Sequence, residues 1–361
     1  MASKPLHLNI LRRPSPEALL ALGAVAAVAF GLVGLELLLR LLDPRYLDRQ
    51  GPMVYSEAYG WAPRPGFAWL LHDVPTHVNA KSYRGPEHTL AKPPGRTRLV
   101  VLGDSIAFGA RATDDQTFSA LLESRGKRYD VVNLAVEGYG TDQELLRLEH
   151  EGLAYHPDVV ILSFCLTNDV LNNSLHADSE DARVPKPYFT WDEGALRLHD
   201  EHVKLSKLRR MAQWLEDESQ VYRRAAALLP ARNQGAEIQP ETAVRLKRLP
   251  AEDLTFRLIR RIHEVALAAG ARLLVVLHPD EPAYRRRSPL LQSFCWTPLL
   301  EGIPVVDLGD RYRAEGATFD DIAVDYQGHL TPLGHRLAAQ EIEALLAETP
   351  PRPHRVACRD D

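Results

Sequence analysis

Five short apolar runs constrain this chain more than any other feature: RLVVLG (98–103), DVVNLAV (130–136), DVVILSFC (158–165), RLLVVLH (272–278) and IPVVDL (303–308). Each is rich in β-branched residues and too short for a buried helix, so each reads as a buried strand. Helix-like segments lie between and after them, at 116–125, 142–154, 253–269 and 333–348. The last opens after Thr331-Pro332, an N-cap residue followed by a proline whose fixed φ suits the first helical position. Such alternation predicts an α/β domain: a parallel sheet with helices on both faces and ligands bound outside the carboxyl ends of the strands.

The flanking segments are of other kinds. Residues 18–35 carry no charge, and apolar residues continue around Glu36 and Arg40 to Leu42. At 1.5 Å rise per residue, about 20 residues cross a bilayer's hydrocarbon core. With Lys4, Arg12 and Arg13 in a short basic tail (1–17), residues 18–42 are expected to form a transmembrane signal anchor. A cleaved signal peptide is the rival reading, since Ala24-Val25-Ala26 and Ala27-Val28-Ala29 resemble cleavage sites; the apolar run, however, continues past both. Arg40, Arg45 and Arg49 match the basic count of the near flank. The N-terminus is placed inside because the tail has no acid before Glu17, whereas the far flank also holds Asp43 and Asp48. This puts the remainder on the extracytoplasmic side of the cell membrane, behind a single pass.

Residues 43–94 form an irregular lead-in rich in Pro, Gly and aromatics, with HVNAKSYRG as a candidate strand, and the α/β domain occupies 95–350. Residues 172–250 interrupt the alternation with polar sequence and helix-like stretches at 201–218 and 220–229, as expected for a helical insertion forming a cap or subdomain over the site. A polar tail (351–361) closes the chain. The formal net charge of -5, with both signs mixed, leaves no electrostatic footprint for nucleic acid. Cys165, Cys295 and Cys358 form no CxxC pair; one bridge is compatible with them, but a zinc site or dense disulfide framework is not expected. There is no HExxH, and His72, His77 and His88 sit among turn residues, so neither a metal nor a cofactor is expected.

Four segments fall where an α/β domain would put chemistry. The first strand runs into Gly103-Asp104-Ser105; glycine permits a tight exit, and the serine can present its hydroxyl to the crevice. Alone, this tripeptide could equally be a turn in which Asp or Ser caps a helix. After the second strand comes Gly138, able to bring a backbone N–H close to a ligand, with Gly140 as competitor. Asn168 follows the third strand and offers a side-chain amide donor. DYQGHLTPLGH places His329 in a loop before the final helix, while His335 falls inside that helix as a surface or packing residue.

Together these segments resemble the four blocks of the SGNH/GDSL hydrolase superfamily, in particular bacterial members with an N-terminal membrane helix and a short β-rich lead-in like VNAKSYRGPE. The resemblance implies a three-layer, flavodoxin-like parallel sheet and a serine hydrolase acting on carboxylic esters through an acyl-enzyme. It implies Ser105 as nucleophile, His329 as general base, and the Ser105 and Gly138 N–H groups with the Asn168 amide as oxyanion donors. The acid is expected to be Asp325, four residues before His329 instead of the family's two or three, with Asp320, Asp321 or a backbone carbonyl as substitutes. Thr167 replaces the glycine common before the asparagine. Asp104 and Asp169 are expected to bond backbone N–H groups and to take no part in catalysis. The implied substrate is an acetyl or acyl ester of an envelope glycan or lipid, or another ester-bearing small molecule. Acyl transfer at the same site, or a binding scaffold without catalysis, are the alternatives; oligomeric state is not legible.

Overall fold

The computed structural model describes residues 15–43, 52–126, 128–166, 168–179, 184–228, 251–285 and 288–348. The chain divides into two compact units, Met1–Gly51 with Ser206–Gln234, and Pro52–Leu205 with Gly235–Asp361. The expected basic tail, Arg45, Arg49, Thr167, Cys358, the 351–361 tail and the 229–250 part of the insertion lie outside the described residues, as does the Cys295 side chain.

In the first unit a 27-residue helix, Pro16–Leu42, opens on Ser15, whose hydroxyl accepts from the Ala18 N–H at 3.2 Å, with proline next in line. At about 1.5 Å per residue it is long enough and apolar enough to cross a membrane. None of its residues is buried. Its one internal acid has a structural partner. The Glu36 carboxylate accepts from the N–H groups of Gln220 (3.1 Å) and Val221 (3.0 Å) and from the Ser219 hydroxyl (3.0 Å). It thereby caps the Gln220–Ala227 helix, which follows the Lys207–Glu218 helix. The later part of the insertion thus belongs with the N-terminal helix.

The second unit begins with two antiparallel hairpins, β1 (Met53–Ser56) with β2 (Gly60–Pro63) and β3 (Ala68–Leu71) with β4 (Val74–His77). Of the candidate strand HVNAKSYRG only His77 lies in a strand, the end of β4, while Val78 and Arg84 are joined by an isolated bridge. β4 stops at His77 because the Asn79 side chain accepts from the Lys81 and Tyr83 N–H groups, folding the chain into a local turn. Next come β5 (Thr97–Gly103), β6 (Tyr129–Asn133) and β7 (Val159–Cys165), a hairpin of β8 (Tyr188–Asp192) with β9 (Ala195–His199), then β10 (Arg272–His278) and β11 (Val305–Asp307). The β8–β9 hairpin shows that the insertion is not wholly helical. Its signal was present in the sequence: Glu193-Gly194, both at positive φ, between alternating strands make a two-residue hairpin turn.

All five expected core strands form one parallel sheet in the order β11-β10-β7-β5-β6, the flavodoxin-like order. Alternate residues feed opposite cores. Val100, Leu102, Val160, Leu162 and Val275 pack against the Thr141–His150 and Ala251–Ala268 helices; Leu99, Val101, Ile161 and Val276 pack against Phe118–Glu123, Leu308–Ala314 and Pro332–Ala347. Burial on both faces is why these strands read as continuous apolar runs. The strand order reverses beside β5, so the crevice lies where the segments after β5 and β7 diverge.

Candidate active site

β5 ends at Gly103, where any side chain would collide: a Cβ there would stand 2.6 Å from the Ala107 Cβ and 2.9 Å from the Ser163 carbonyl oxygen. Asp104 then caps the one-turn Ser105–Phe108 helix, its carboxylate accepting from the Ile106 N–H at 2.9 Å. The turn is held from outside as well. Asn133 donates its amide to the Ala107 carbonyl (2.9 Å), and the buried Arg84 guanidinium, from the lead-in, donates to the carbonyls of Phe108, Gly109 and Ala112. Fixing four carbonyls leaves the Ser105 hydroxyl little freedom of position.

His329 sits on a loop closed by pairing of Ala323 with Leu330 and by the Val324 N–H bonded to the His329 carbonyl at 2.8 Å. This closure folds Asp325 back onto the imidazole, which is why a four-residue spacing still reaches. Asp325 Oδ2 lies 2.7 Å from His329 Nδ1, and Oδ1 accepts from the His329 N–H at 3.3 Å. On its other edge, His329 Nε2 lies 2.8 Å from Ser105 Oγ. Hydroxyl, imidazole and carboxylate therefore form one hydrogen-bonded line, the geometry by which an imidazole can take a proton from a serine. The substitutes are occupied elsewhere or turned outward: the Asp321 carboxylate caps Thr318, and Asp320 is exposed. Burial alone would raise the Asp325 pKa; the hydrogen bond from His329, the imidazole's charge when protonated and Arg111 (Nη2 3.5 Å from Oδ2) hold it below the ordinary carboxylate value.

Gly138 has a φ of +77°, and the space where its Cβ would stand has only ordinary contacts. Backbone conformation therefore accounts for glycine here. Gly140, at the N-cap of the Thr141–His150 helix, is different: a Cβ there would meet Asn173 Oδ1 at 2.8 Å and Asn172 Cβ at 2.9 Å. Asn168 stands at the start of the Asp169–Asn173 helix beside Asp104. Asp169 accepts from the Cys165 N–H at 2.8 Å, so both Asp104 and Asp169 bond backbone as expected. His335 is fully buried, accepting from the Phe118 N–H at 3.2 Å, and burial pushes its pKa down to about 3. It is a packing residue, not a surface one.

Behind Ser105 lies a layer the sequence did not announce. Asp104, Asp142, Glu144 and Asp169 are all buried. Lys186 reaches in from the insertion to pair with Asp142. Desolvation, together with the neighbouring carboxylates, raises Glu144 and Asp169 well above their ordinary values. Asp104 is raised chiefly by desolvation, partly offset by Ile106, His329 and Asn168. Sequence reading also missed the groups around the imidazole. The ring of His72, at the tip of the β3–β4 turn, lies 6.5 Å from that of His329, and His72 Nε2 is 4.0 Å from a Glu137 oxygen. His72 and Asp73 both have positive φ, a two-residue turn that favours Asn-Gly. That unusual His-Asp pair was the available signal. Arg111 had none.

Residues 101–337, about two thirds of the chain, match the family described as GDSL-like Lipase/Acylhydrolase. The chain belongs to that family. Solved structures similar to this GDSL-like hydrolase include TesA (15% identity, covering 70% of this chain and 98% of that one, TM-score 0.40). An acetyl xylan esterase, AlAXEase, is 13% identical (69% and 98% covered, TM-score 0.39). A lipolytic G-D-S-L family protein from Veillonella parvula DSM 2008 is likewise 13% identical (70% and 99%, TM-score 0.37). No curated protein matches the chain significantly. Ester hydrolysis, in general terms, is the chemistry of the family.

Among the described residues of this GDSL-like hydrolase, one group has ligand atoms close enough to hold a metal ion: His88, Glu123 and Asp130. Its charges are already met. His88 Nδ1 lies 2.9 Å from Asp130, the buried Arg98 pairs with Asp130, and Arg96 lies 3.9 Å from Glu123. Two guanidiniums beside two carboxylates make this an ion network joining the lead-in to the sheet.

Proposed function

We propose that this GDSL-like hydrolase cleaves a carboxylic ester with Ser105 as nucleophile, His329 as general base and then acid, and Asp325 as the group that orients and stabilises the imidazolium. Ser105 Oγ attacks the ester carbonyl as its proton passes to His329 Nε2. The oxyanion is met by the N–H groups of Ser105 and Gly138 and by the Asn168 amide. Collapse breaks the bond to the alcohol, which leaves with the proton from Nε2. Water then attacks the acyl-enzyme, giving a proton to His329, and collapse breaks the bond from Ser105 Oγ to the acyl carbon, releasing the acid as Oγ takes that proton back from Nε2. The observation that carries this reading is the unbroken line of 2.8 Å and 2.7 Å from Ser105 through His329 to Asp325.

The surroundings favour a short acyl group on a hydrophilic alcohol. His72, Glu137 and Arg111 bring polar, ionisable groups close to His329 and Asp325, where a long acyl chain would gain little. An acetyl ester of an envelope glycan fits this chemistry better than a lipid. The Pro16–Leu42 helix is read as a single-pass signal anchor, N-terminus inside, with the hydrolase on the extracytoplasmic side. Full-length protein in detergent, offered p-nitrophenyl acetate, p-nitrophenyl palmitate and an acetylated oligosaccharide, should release acetate faster than palmitate. Ser105→Ala should abolish turnover of all three substrates. Activity surviving in Ser105→Ala would overturn the nucleophile, and a preference for palmitate would overturn the substrate class.

A further inference from the structure

The first unit carries an amphipathic helix that the hydrolase chemistry does not use. In Lys207–Glu218 (KLRRMAQWLEDE), residues 208, 211, 212, 214 and 215 fall on one arc at 100° per residue. Instead of being covered, Leu208 is 72% exposed, Met211 54% and Trp214 61%. Arg209 and Arg210 project beyond the two edges of that arc, and Lys207 stands at its N-terminal end. The basic residues are gathered in the first turn, while Glu216, Asp217 and Glu218 occupy the last; a tryptophan and long aliphatic side chains on one face with a basic flank at one end are found in helices that lie in a membrane–water interface.

The surrounding contacts point to the same surface. The neighbouring Gln220–Ala227 helix is fastened to the C-terminal end of the long apolar helix by Glu36, by the Gln220 amide donating to the Asp43 carbonyl at 2.9 Å, and by the ion pair of Arg224 with Asp43 at 3.3 Å. Arg40 donates to the Glu218 carbonyl, tying the end of Lys207–Glu218 to the same place. An exposed apolar stripe is thus held beside the end of a helix long enough to span a bilayer, where headgroups and upper acyl chains would meet it.

We propose that Lys207–Glu218 is an interfacial helix, its Leu208–Met211–Trp214 stripe seated among the lipids of the leaflet at the C-terminal end of the Pro16–Leu42 span, with Lys207, Arg209 and Arg210 toward anionic headgroups. This rests on the reading of Pro16–Leu42 as a membrane anchor, and the two are tested separately in one preparation. Full-length protein is reconstituted into phosphatidylcholine–phosphatidylglycerol vesicles, with flotation after carbonate washing reporting the anchor. Bromolipid quenching of tryptophan emission, wild type minus Trp214→Phe, reports the stripe. In protein that floats, the difference spectrum should be blue-shifted and quenched by bromolipids. Leu208→Glu combined with Met211→Glu should float equally well and lose that quenching. Floating protein whose Trp214 emission is unquenched overturns the proposal, and a blue shift without quenching would put protein on the stripe instead. Quenching unchanged in the double variant also overturns it, and failure to float overturns anchor and interfacial helix together.

Discussion

The carboxylates around Ser105 lie in two environments that shift their pKa values in opposite directions. In front, Asp325 is half-buried, hydrogen-bonded to His329 and near Arg111, and stays ionised below the ordinary carboxylate range. Behind, Glu144 and Asp169 are fully buried beside other acids and are driven toward the neutral form. The same side-chain chemistry thus has its pKa lowered beside an imidazole on one side and raised by burial among other acids on the other. What separates them is the partner: a cation for Asp325, low dielectric and like charge for the others. Asp104, next to Ser105, belongs by environment with Glu144 and Asp169.

Removing the charge in front should have the largest effect. Asp325→Asn keeps the shape but mispairs the imidazole tautomer, so kcat for p-nitrophenyl acetate should fall about 10³–10⁴-fold with Tm nearly unchanged. A loss under about tenfold would move the orienting role to another group. Behind the serine, Lys186→Met leaves Asp142 buried without its cation. Denaturant unfolding should show a loss of about 3–5 kcal/mol, because both partners are at most 1% exposed. An unchanged midpoint would mean that Asp142 is readily neutralised.

Asn168 stands between the two groups, beside Asp104 and at the start of the helix after β7. If its amide serves the oxyanion, Asn168→Ala should lower kcat by about 10²–10³ with KM little changed. A pure stability loss would assign it to the rear layer. The smallest effect is expected for Glu144→Gln. A carboxyl whose folded-state pKa is raised favours folding fully below its unfolded value, near 4.5, and that contribution is lost as pH rises through the raised value. The amide removes this loss, so Tm should rise by about a few degrees at high pH and change little near pH 5. Equal shifts at both pH values would show that Glu144 does not titrate in the folded protein.

The contrast also marks what the chain's letters could disclose. Five strands were legible because sheet residues buried on both faces, such as Val100 and Leu99 on opposite sides, leave unbroken apolar runs. Ser105, His329 and Asp325 were legible through their places after particular elements, and Asp325 was reachable because the 323–330 loop closes on itself. The rear layer was not. Nothing local to Asp142 or Glu144, on a helix of polar composition, says that both are buried; that follows from packing of Lys186 and the Asp169–Asn173 segment, far along the chain. The β8–β9 hairpin was missed although Tyr188, Phe189, Trp191, Leu196 and Leu198 give its strands aromatic and apolar residues on either side of the Glu193-Gly194 turn, because each strand is only five residues long and lies within otherwise polar sequence.

Reaction with a fluorophosphonate, followed by peptide mapping, tests the central claim most directly, since only a serine deprotonated by a neighbouring base attacks such a probe quickly. The wild-type protein should carry one adduct, on the peptide containing Ser105, and His329→Ala should lose it while remaining folded. A wild type that stays unlabelled, or a label on another residue that persists in Ser105→Ala, would contradict the account.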